Sequence, residues 1–208
     1  MAQFITIAGP QSSGKTTAVN HLRRKHPDWY FLDVVDPYTI GGMQHAGAAY
    51  TDRDLQTNIM KVELMKLNAM KNKVNPVFLA EMGIFRLVYA RYFYGKGLPD
   101  EFFDQYINAY EAFDPYLVFI DTKPEISFHR RKNRYIERIK NRGITDKKKF
   151  DKMLKKYQDT VFHLYPYWLK FYDRIRFPKT LIKNSYISEQ EFLNEIDKAV
   201  NGFVFSSK

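Results

Sequence analysis

The feature that most constrains this 208-residue chain is a short loop close to its N-terminus. Residues 9–16 have the sequence GPQSSGKT, which matches the pattern G-x-x-x-x-G-K-[ST] without a mismatch. The apolar run Phe4 to Ala8 precedes the loop and indicates a buried strand, and helical periodicity follows from Lys15 to about Lys25. A strand, a glycine-rich loop and a helix in this order surround phosphate oxygens with backbone N–H groups and a helix N-terminus. The loop therefore predicts binding of the phosphates of a nucleoside triphosphate.

Each fixed position in the loop has a chemical reason. Gly9 and Gly14 permit backbone conformations that let successive N–H groups wrap around phosphate oxygens. Lys15 can reach the β- and γ-phosphates, and the Thr16 hydroxyl can ligate Mg²⁺. An ordinary glycine-rich turn is the alternative. We expect ATP and Mg²⁺ as cofactors, and the expected phosphate-binding residues are Gly9, Gln11, Ser12, Ser13, Gly14, Lys15, Thr16 and Thr17.

Composition excludes several other classes of protein. The chain has no cysteine, so disulfide scaffolds, thiolate zinc sites, iron–sulfur clusters and cysteine nucleophiles are excluded. No apolar run approaches the roughly 20 residues that cross a bilayer. The first residues lack the basic leader and the long apolar stretch of a signal peptide. We therefore expect a cytoplasmic protein that does not associate with membranes.

The net charge of +10 is concentrated in one segment. Residues 129–156 hold thirteen Lys and Arg residues against three acids, so the remainder of the chain is neutral. A protein that binds nucleic acid over its whole surface usually spreads its positive charge. The pattern therefore indicates that this one segment meets an anion.

Predicted strands and helices alternate along the chain. Besides the first strand, apolar runs predict strands at 29–35, 76–80 and 116–120, and a fifth from 174–177 and 180–182. Further helices are predicted at 52–71, 85–94, 101–112 and 189–200, and as two pieces of the basic segment separated at Gly143. This alternation implies right-handed crossovers and a mostly parallel sheet with helices on both faces. We expect residues 1–208 to form one α/β domain.

The remaining sequence narrows the class of phosphate-loop protein. Small GTPases need a D-x-x-G switch and an N-K-x-D guanine reader, and neither pattern occurs here. Transport ATPases need a larger domain and a signature like L-S-G-G-Q, which is also absent. What remains favours small kinases that act on nucleosides and nucleotides.

Acidic residues follow the second and third predicted strands. Asp36 precedes Pro37 near the carboxyl edge of the sheet, where ligands bind in open α/β folds, and its carboxylate can accept or orient the proton of an attacking hydroxyl. Glu81 ends the third strand, where an acid often holds Mg²⁺ directly or through water. The alternatives are a turn aspartate before proline and a glutamate that caps the next helix.

The basic segment begins soon after the fourth predicted strand. On a helix, Arg130, Arg134 and Arg138 are four residues apart and share one face. Guanidinium groups on one face can clamp a transferring phosphoryl group, so we expect a lid at about 129–147. The alternative is a solvated basic helix or a patch that binds nucleic acid.

The chain resembles the thymidylate kinase and deoxynucleoside kinase group. The resemblance rests on the phosphate loop, on Asp36 before Pro37, on Glu81 and on the run from Asp114 to Asp121, which Pro124 and Glu125 follow. It continues through the arginine-rich segment into residues 157–168. It implies a five-stranded parallel sheet in the order 2-3-1-4-5. It also implies that Asp36 lies near the acceptor, that Glu81 is the acid on the metal side, and that the three arginines form the lid.

The acceptor stays open at this stage. After the third strand, thymidylate kinases usually have Asp-Arg-Tyr and deoxynucleoside kinases Glu-Arg-Ser, whereas this chain has Glu81, Met82 and Gly83. The arginine that grips the acceptor is therefore missing there, and Arg86 or Arg91 are possible substitutes. The loop also resembles that of nicotinamide riboside kinases.

Two classes of function remain. The first is ATP- and Mg²⁺-dependent phosphoryl transfer to a small acceptor, a nucleoside or nucleoside monophosphate, with nucleic acid not expected as a partner and with a homodimer possible. The second is a regulatory or nucleic-acid-associated protein that binds nucleotide without kinase activity and uses Lys147, Lys148 and Lys149 on a phosphodiester backbone.

Overall fold

The structure is a computed structural model, which describes residues 3–32, 53–80 and 100–206. These residues contain five strands and six helices. The strands are β1 (Phe4–Ala8), β2 (Tyr30–Leu32), β3 (Val77–Ala80), β4 (Pro115–Asp121) and β5 (Lys179–Lys183). The helices are α1 (Lys15–Lys25), α2 (Arg53–Met70), α3 (Asp100–Glu111), α4 (Pro124–Asn141), α5 (Lys147–Arg174) and α6 (Glu189–Ser206).

The strands form one parallel sheet in the order β2-β3-β1-β4-β5. β1 lies in the middle, with Ile7 paired to Ala80 of β3 and Ala8 paired to Phe119 of β4. The α/β class with a parallel sheet is therefore confirmed, and the strand order is the one that the resemblance implies. Because parallel strands end at the same edge, Ala8, Ala80 and Asp121 all lie at the edge where ligands bind in open α/β folds.

Each face of the sheet is covered by helices. Alternate β1 residues point to opposite faces: Ile5 and Ile7 pack with α1 and α6, whereas Phe4 and Ala8 pack with α2, α3 and α5. Trp168 of α5 is 1% exposed and belongs to the core that contains Phe4 and Ala8. Helices on both faces were predicted from the alternation of elements, and the structure has them.

Two boundaries differ from those predicted, and a third agrees. The segment 174–177 is not part of the fifth strand, because α5 continues to Arg174 and its apolar face, with Trp168 and Phe171, extends to Ile175. The last helix runs to Ser206 rather than to 200, since Val204 continues the buried face. The break at Gly143 is confirmed, with φ of 69° in the turn between α4 and α5. The predicted helix at 85–94 lies outside the described residues.

Within the described ranges, the helices are too short or too polar to cross a membrane.

The central position of β4 predicts a large cost for truncating its core side chains. Leu117 is fully buried and lies between β1 and β5. Leu117→Ala should lower the free energy of unfolding by about 2–5 kcal/mol, because it removes apolar contact and leaves a cavity. Met65→Ala, at a position that is 67% exposed on α2, is the control and should change stability by less than about 0.5 kcal/mol. Urea denaturation measures both, and equal losses would contradict the packing described here.

Candidate functional site

The predicted phosphate loop lies between β1 and α1, where the two glycines are required by close contacts. Gly9 has φ of 150°, and a Cβ there would lie 2.3 Å from the Ile120 carbonyl oxygen. Gly14 has φ of 100°, and a Cβ there would lie 2.8 Å from Asn184 Nδ2 and 3.1 Å from the ring of Phe192. Any side chain at either position therefore meets both steric and conformational strain.

Lys15 begins α1 and is only 6% exposed. Its Nζ donates hydrogen bonds to the carbonyl oxygens of Gly9, at 3.0 Å, and of Pro10, at 2.6 Å. The ammonium group is thus held across the loop, on the carbonyls that begin it. Gly14 is the N-cap of α1, and no described side chain caps this helix, so the positive end of its dipole lies at the loop.

A cavity of about 360 Å³ opens beside the loop. The described residues that line it are Ser12, Ser13, Gly14, Lys15, Thr16, Thr17, Arg130, Asn184, Ile187, Glu189 and Phe192. Ser13 Oγ is buried and has no hydrogen-bond partner among the described residues. An ammonium group, two or more hydroxyls and a helix N-terminus on one cavity form a donor set that suits phosphate oxygens.

The end of β5 contributes residues that were not predicted. Asn184 is 5% exposed, and its Nδ2 donates to the Ser13 carbonyl oxygen at 2.7 Å. Its backbone N–H donates to the Asp121 carbonyl oxygen at 2.8 Å, so Asn184 ties the loop to the ends of β4 and β5. The signal in the sequence that could have identified Asn184 is its position directly after the fifth strand, at the carboxyl edge of the sheet. Ile187, Glu189 and Phe192 carry no such local signal, because only the fold brings α6 and the residues just before it to the loop.

Helix α4 contacts the loop from another side. Ser127 Oγ donates to the carbonyl oxygen of Gln11, and Tyr135 donates its hydroxyl proton to Gln11 Oε1 at 3.0 Å. Arg130 Nη1 makes a long hydrogen bond of 3.5 Å to the carbonyl oxygen of Ser12. Partial desolvation lowers the pKa of Arg130, which nevertheless stays charged at neutral pH. The basic helix therefore begins against the phosphate loop.

The three lid candidates do not reach the same place. All three are exposed, but only Arg130 lines the cavity; Arg134 and Arg138 lie outside the set of described residues that line it. Each helical residue advances about 1.5 Å, so Arg138 lies roughly 12 Å farther along α4 than Arg130. The shared face predicted for these arginines thus extends away from the loop.

The two acidic candidates, Asp36 and Glu81, lie outside the described residues, as do Arg86 and Arg91. β3 ends at Ala80, whose partner Ile7 lies two residues before Gly9.

The end of β4 is also held by a polar contact. Tyr165 of α5 donates its hydroxyl proton to Asp121 Oδ1 at 2.8 Å. Burial raises the pKa of Tyr165, and the bond to Asp121 raises it further, so the phenol keeps its proton and acts as the donor. This contact fixes α5 to Asp121, the last residue of β4, whose carbonyl oxygen also accepts the backbone N–H of Asn184.

A family model described as deoxynucleoside kinase matches residues 5–205 of the chain. Among solved structures, a deoxyadenosine kinase from M. mycoides with bound dATP is 18% identical with a TM-score of 0.55, and the match covers 96% of this chain and 99% of that one. The YorR protein from Bacillus subtilis, in complex with phosphorylated GDP, is 14% identical with a TM-score of 0.56 and 96% coverage of both chains.

A tRNA isopentenylpyrophosphate transferase from Bacillus halodurans is 9% identical with a TM-score of 0.59, covering 97% of this chain and 96% of that one. At these identities the structural matches establish the fold alone. A comparison with curated proteins gave no match.

The glycine contacts predict opposite effects for two Gly→Ala changes. Gly9→Ala should lower the free energy of unfolding by about 1–3 kcal/mol, because its Cβ meets a backbone oxygen. Gly202→Ala lies inside α6 with no described heavy atom within 4 Å of its Cβ, and it should raise stability by up to about 1 kcal/mol. Urea denaturation of both variants checks the pair, and a Gly9→Ala protein as stable as the parent would contradict the loop geometry.

Proposed function

Because this chain belongs to the deoxynucleoside kinase family, we propose that it transfers the γ-phosphoryl group of ATP to a nucleoside or nucleoside monophosphate. The observation that carries the proposal is the cavity beside the phosphate loop, where Lys15, Ser13 and Arg130 converge with the start of α1. Residues 1–208 form one kinase domain in this proposal, in keeping with a family match that extends from residue 5 to residue 205.

The loop binds the donor. Its N–H groups and the Ser13 and Thr17 hydroxyls contact phosphate oxygens, while the Lys15 ammonium exchanges its bonds to the Gly9 and Pro10 carbonyls for bonds to the β- and γ-phosphates. This exchange replaces neutral acceptors by charged ones, and hydrogen bonds to charged groups are roughly twice as strong. The gain favours the occupied loop.

The residues near the loop also suit a magnesium ion. The Thr16 hydroxyl, on the cavity wall, and the Glu81 carboxylate are oxygen ligands of the type that Mg²⁺ prefers. When bound, Mg²⁺ neutralises charge on the β- and γ-phosphate oxygens.

Asp36 acts on the acceptor. When the acceptor is a nucleoside, the Asp36 carboxylate accepts the proton of the attacking hydroxyl as the new bond from that oxygen to the γ-phosphorus forms. The bond from the γ-phosphorus to the bridging oxygen of ADP breaks in the same in-line transfer, so ADP leaves with that oxygen. The chain's contribution is mainly positioning, because donor and acceptor are held at the same sheet edge.

The segment 129–147 forms the lid. Arg130 already lies at the cavity and contacts the donor phosphates, whereas Arg134 and Arg138 offer charge farther along α4, where a closing lid meets the transferring group. Closure also excludes water, which protects ATP from hydrolysis. The rival function, nucleotide binding on nucleic acid without kinase activity, has no support in the family to which the chain belongs.

Lys15→Ala tests the donor site. We expect Mg-ATP affinity to fall at least about tenfold and acceptor-stimulated ADP release to fall at least about a hundredfold, since one charge-assisted group is lost from a preorganised site. The assay uses a panel of nucleosides, nucleoside monophosphates and nicotinamide riboside, so it also identifies the acceptor. Lys170→Ala, on the exposed side of α5, is the control and should change neither quantity.

If ATP binds and no acceptor stimulates ADP release, the kinase proposal fails. Polynucleotide binding measured across a range of salt concentrations then tests the rival, because contacts with phosphodiesters weaken steeply as salt rises.

Neutralising Arg134 and Arg138 together tests the lid. We expect kcat to fall by about 10²- to 10³-fold while the Kd for Mg-ATP changes less than about threefold, because these side chains lie away from the loop and act on the transition state. Arg130→Ala should instead raise that Kd, since its guanidinium lines the cavity. Arg176→Ala, exposed before β5, is the control. Equal losses of turnover and ATP binding in the double variant would exclude the lid assignment.

A further inference from the structure

Tyr135, near the middle of α4, is attached to the phosphate loop although it lies outside the set of described residues that line the cavity. It is 3% exposed, and its hydroxyl donates to Gln11 Oε1 at 3.0 Å. Gln11 is one of the non-glycine residues inside the loop pattern, where the motif itself places no demand on the side chain. The contact therefore gives a specific partner to a loop position that phosphate chemistry leaves open.

The ring of Tyr135 is fixed on several sides. It stacks on Tyr157 of α5, with centroids 4.5 Å apart and planes 10° from parallel, and it lies 5.8 Å from the ring of Phe128. The Arg131 guanidinium lies 5.7 Å from its centroid. Burial raises the pKa of Tyr135 against the opposing charges of Arg131 and Arg138, so the phenol keeps the proton that it donates. The hydroxyl is thus presented to Gln11 from a rigid support.

The loop needs such support at this point. Ser12 has φ of 56°, a left-handed conformation that non-glycine residues adopt only when the surroundings hold them. Two residues of α4 bond to Gln11: Ser127 to its carbonyl oxygen and Tyr135 to its side chain. Arg130 contacts the carbonyl oxygen of Ser12. In a trans peptide the C=O and the following N–H point in opposite directions, so anchoring the Gln11 carbonyl on α4 turns the Ser12 N–H away from α4. These contacts therefore set the direction of a loop donor.

We propose that Tyr135 is a positioning residue for ATP binding, acting through Gln11 to hold the loop in the conformation that receives the phosphates. The proposal rests on the proposed function in one respect, that ATP is the ligand of the loop. It does not depend on which acceptor is used or on whether transfer occurs, because the quantity that Tyr135 controls is the affinity for the donor.

Tyr135→Phe is the test, because it removes the hydroxyl and keeps the stacked ring. The Kd for Mg-ATP should rise about 2- to 12-fold, the range expected for losing one hydrogen bond to a neutral group. The KM for the acceptor and kcat at saturating ATP should change less than about twofold. Tyr186→Phe, which removes a hydroxyl at a position that is 71% exposed, is the matched control and should leave all three values unchanged.

The reciprocal change distinguishes positioning from a general loss of stability. Gln11→Leu should raise the Kd for Mg-ATP to a similar extent, and the double variant Gln11→Leu, Tyr135→Phe should bind no more weakly than the weaker single variant, because replacing both partners leaves no polar group unpaired. Lower thermal stability with an unchanged Kd in Tyr135→Phe would overturn the proposal, and so would strictly additive losses in the double variant.

These measurements separate the two proposals. If the parent protein binds Mg-ATP and transfers no phosphoryl group, the kinase function fails while the Kd series still decides the role of Tyr135. If the parent transfers phosphoryl groups and Tyr135→Phe binds Mg-ATP as tightly as the parent, only the positioning role fails.

Discussion

The rest of the site depends on one constraint: the carbonyl groups of the phosphate loop need hydrogen-bond donors. A loop that offers N–H groups to an anion must direct its carbonyls elsewhere, and buried carbonyls need donors. Here the donors come from three directions: Lys15 bonds the carbonyls of Gly9 and Pro10, α4 bonds that of Gln11, and Asn184 bonds that of Ser13. The loop conformation is therefore imposed by β5, α1 and α4 together.

This arrangement explains why the first part of the basic segment differs from the rest. The beginning of α4 is built into the site, since Ser127 and Arg130 contact the loop. Farther along, the cations are exposed, and the N-terminal part of α5 adds more of them after its cap at Asp146. Exposed like charges repel one another, but they also create a positive potential that attracts anions. The net charge of +10 is concentrated in residues 129–156 because one part of this segment contacts the loop and the other part presents exposed cations.

Most of the strands and helices, and part of the site, could be predicted from the sequence. The loop pattern is local, so the position of Gly9, Gly14 and Lys15 between a strand and a helix could be predicted from eight residues. Strand order could be inferred only through the resemblance, because pairing between strands distant in sequence leaves no periodicity. The partners of the loop could not be predicted, since the bond from Tyr135 to Gln11 spans 124 positions and that from Asn184 to Ser13 spans 171. Nothing in a helical pattern tells a buried tyrosine with a polar partner from one in an apolar core.

The same contacts limit how the proposed lid can close. α4 packs against α5, and the stacked rings of Tyr135 and Tyr157 join the two helices at a point that is also bonded to Gln11. A rigid rotation of both helices about the end of β4 breaks the bonds to Gln11 and Ser12, and it releases the strained conformation at Ser12. Bending beyond Tyr135, toward the turn at Gly143, breaks none of them. If the proposed lid closes, movement of the outer parts of α4 and α5 over an already formed loop therefore costs less than movement of both whole helices, and the proposed binding of ATP can precede it.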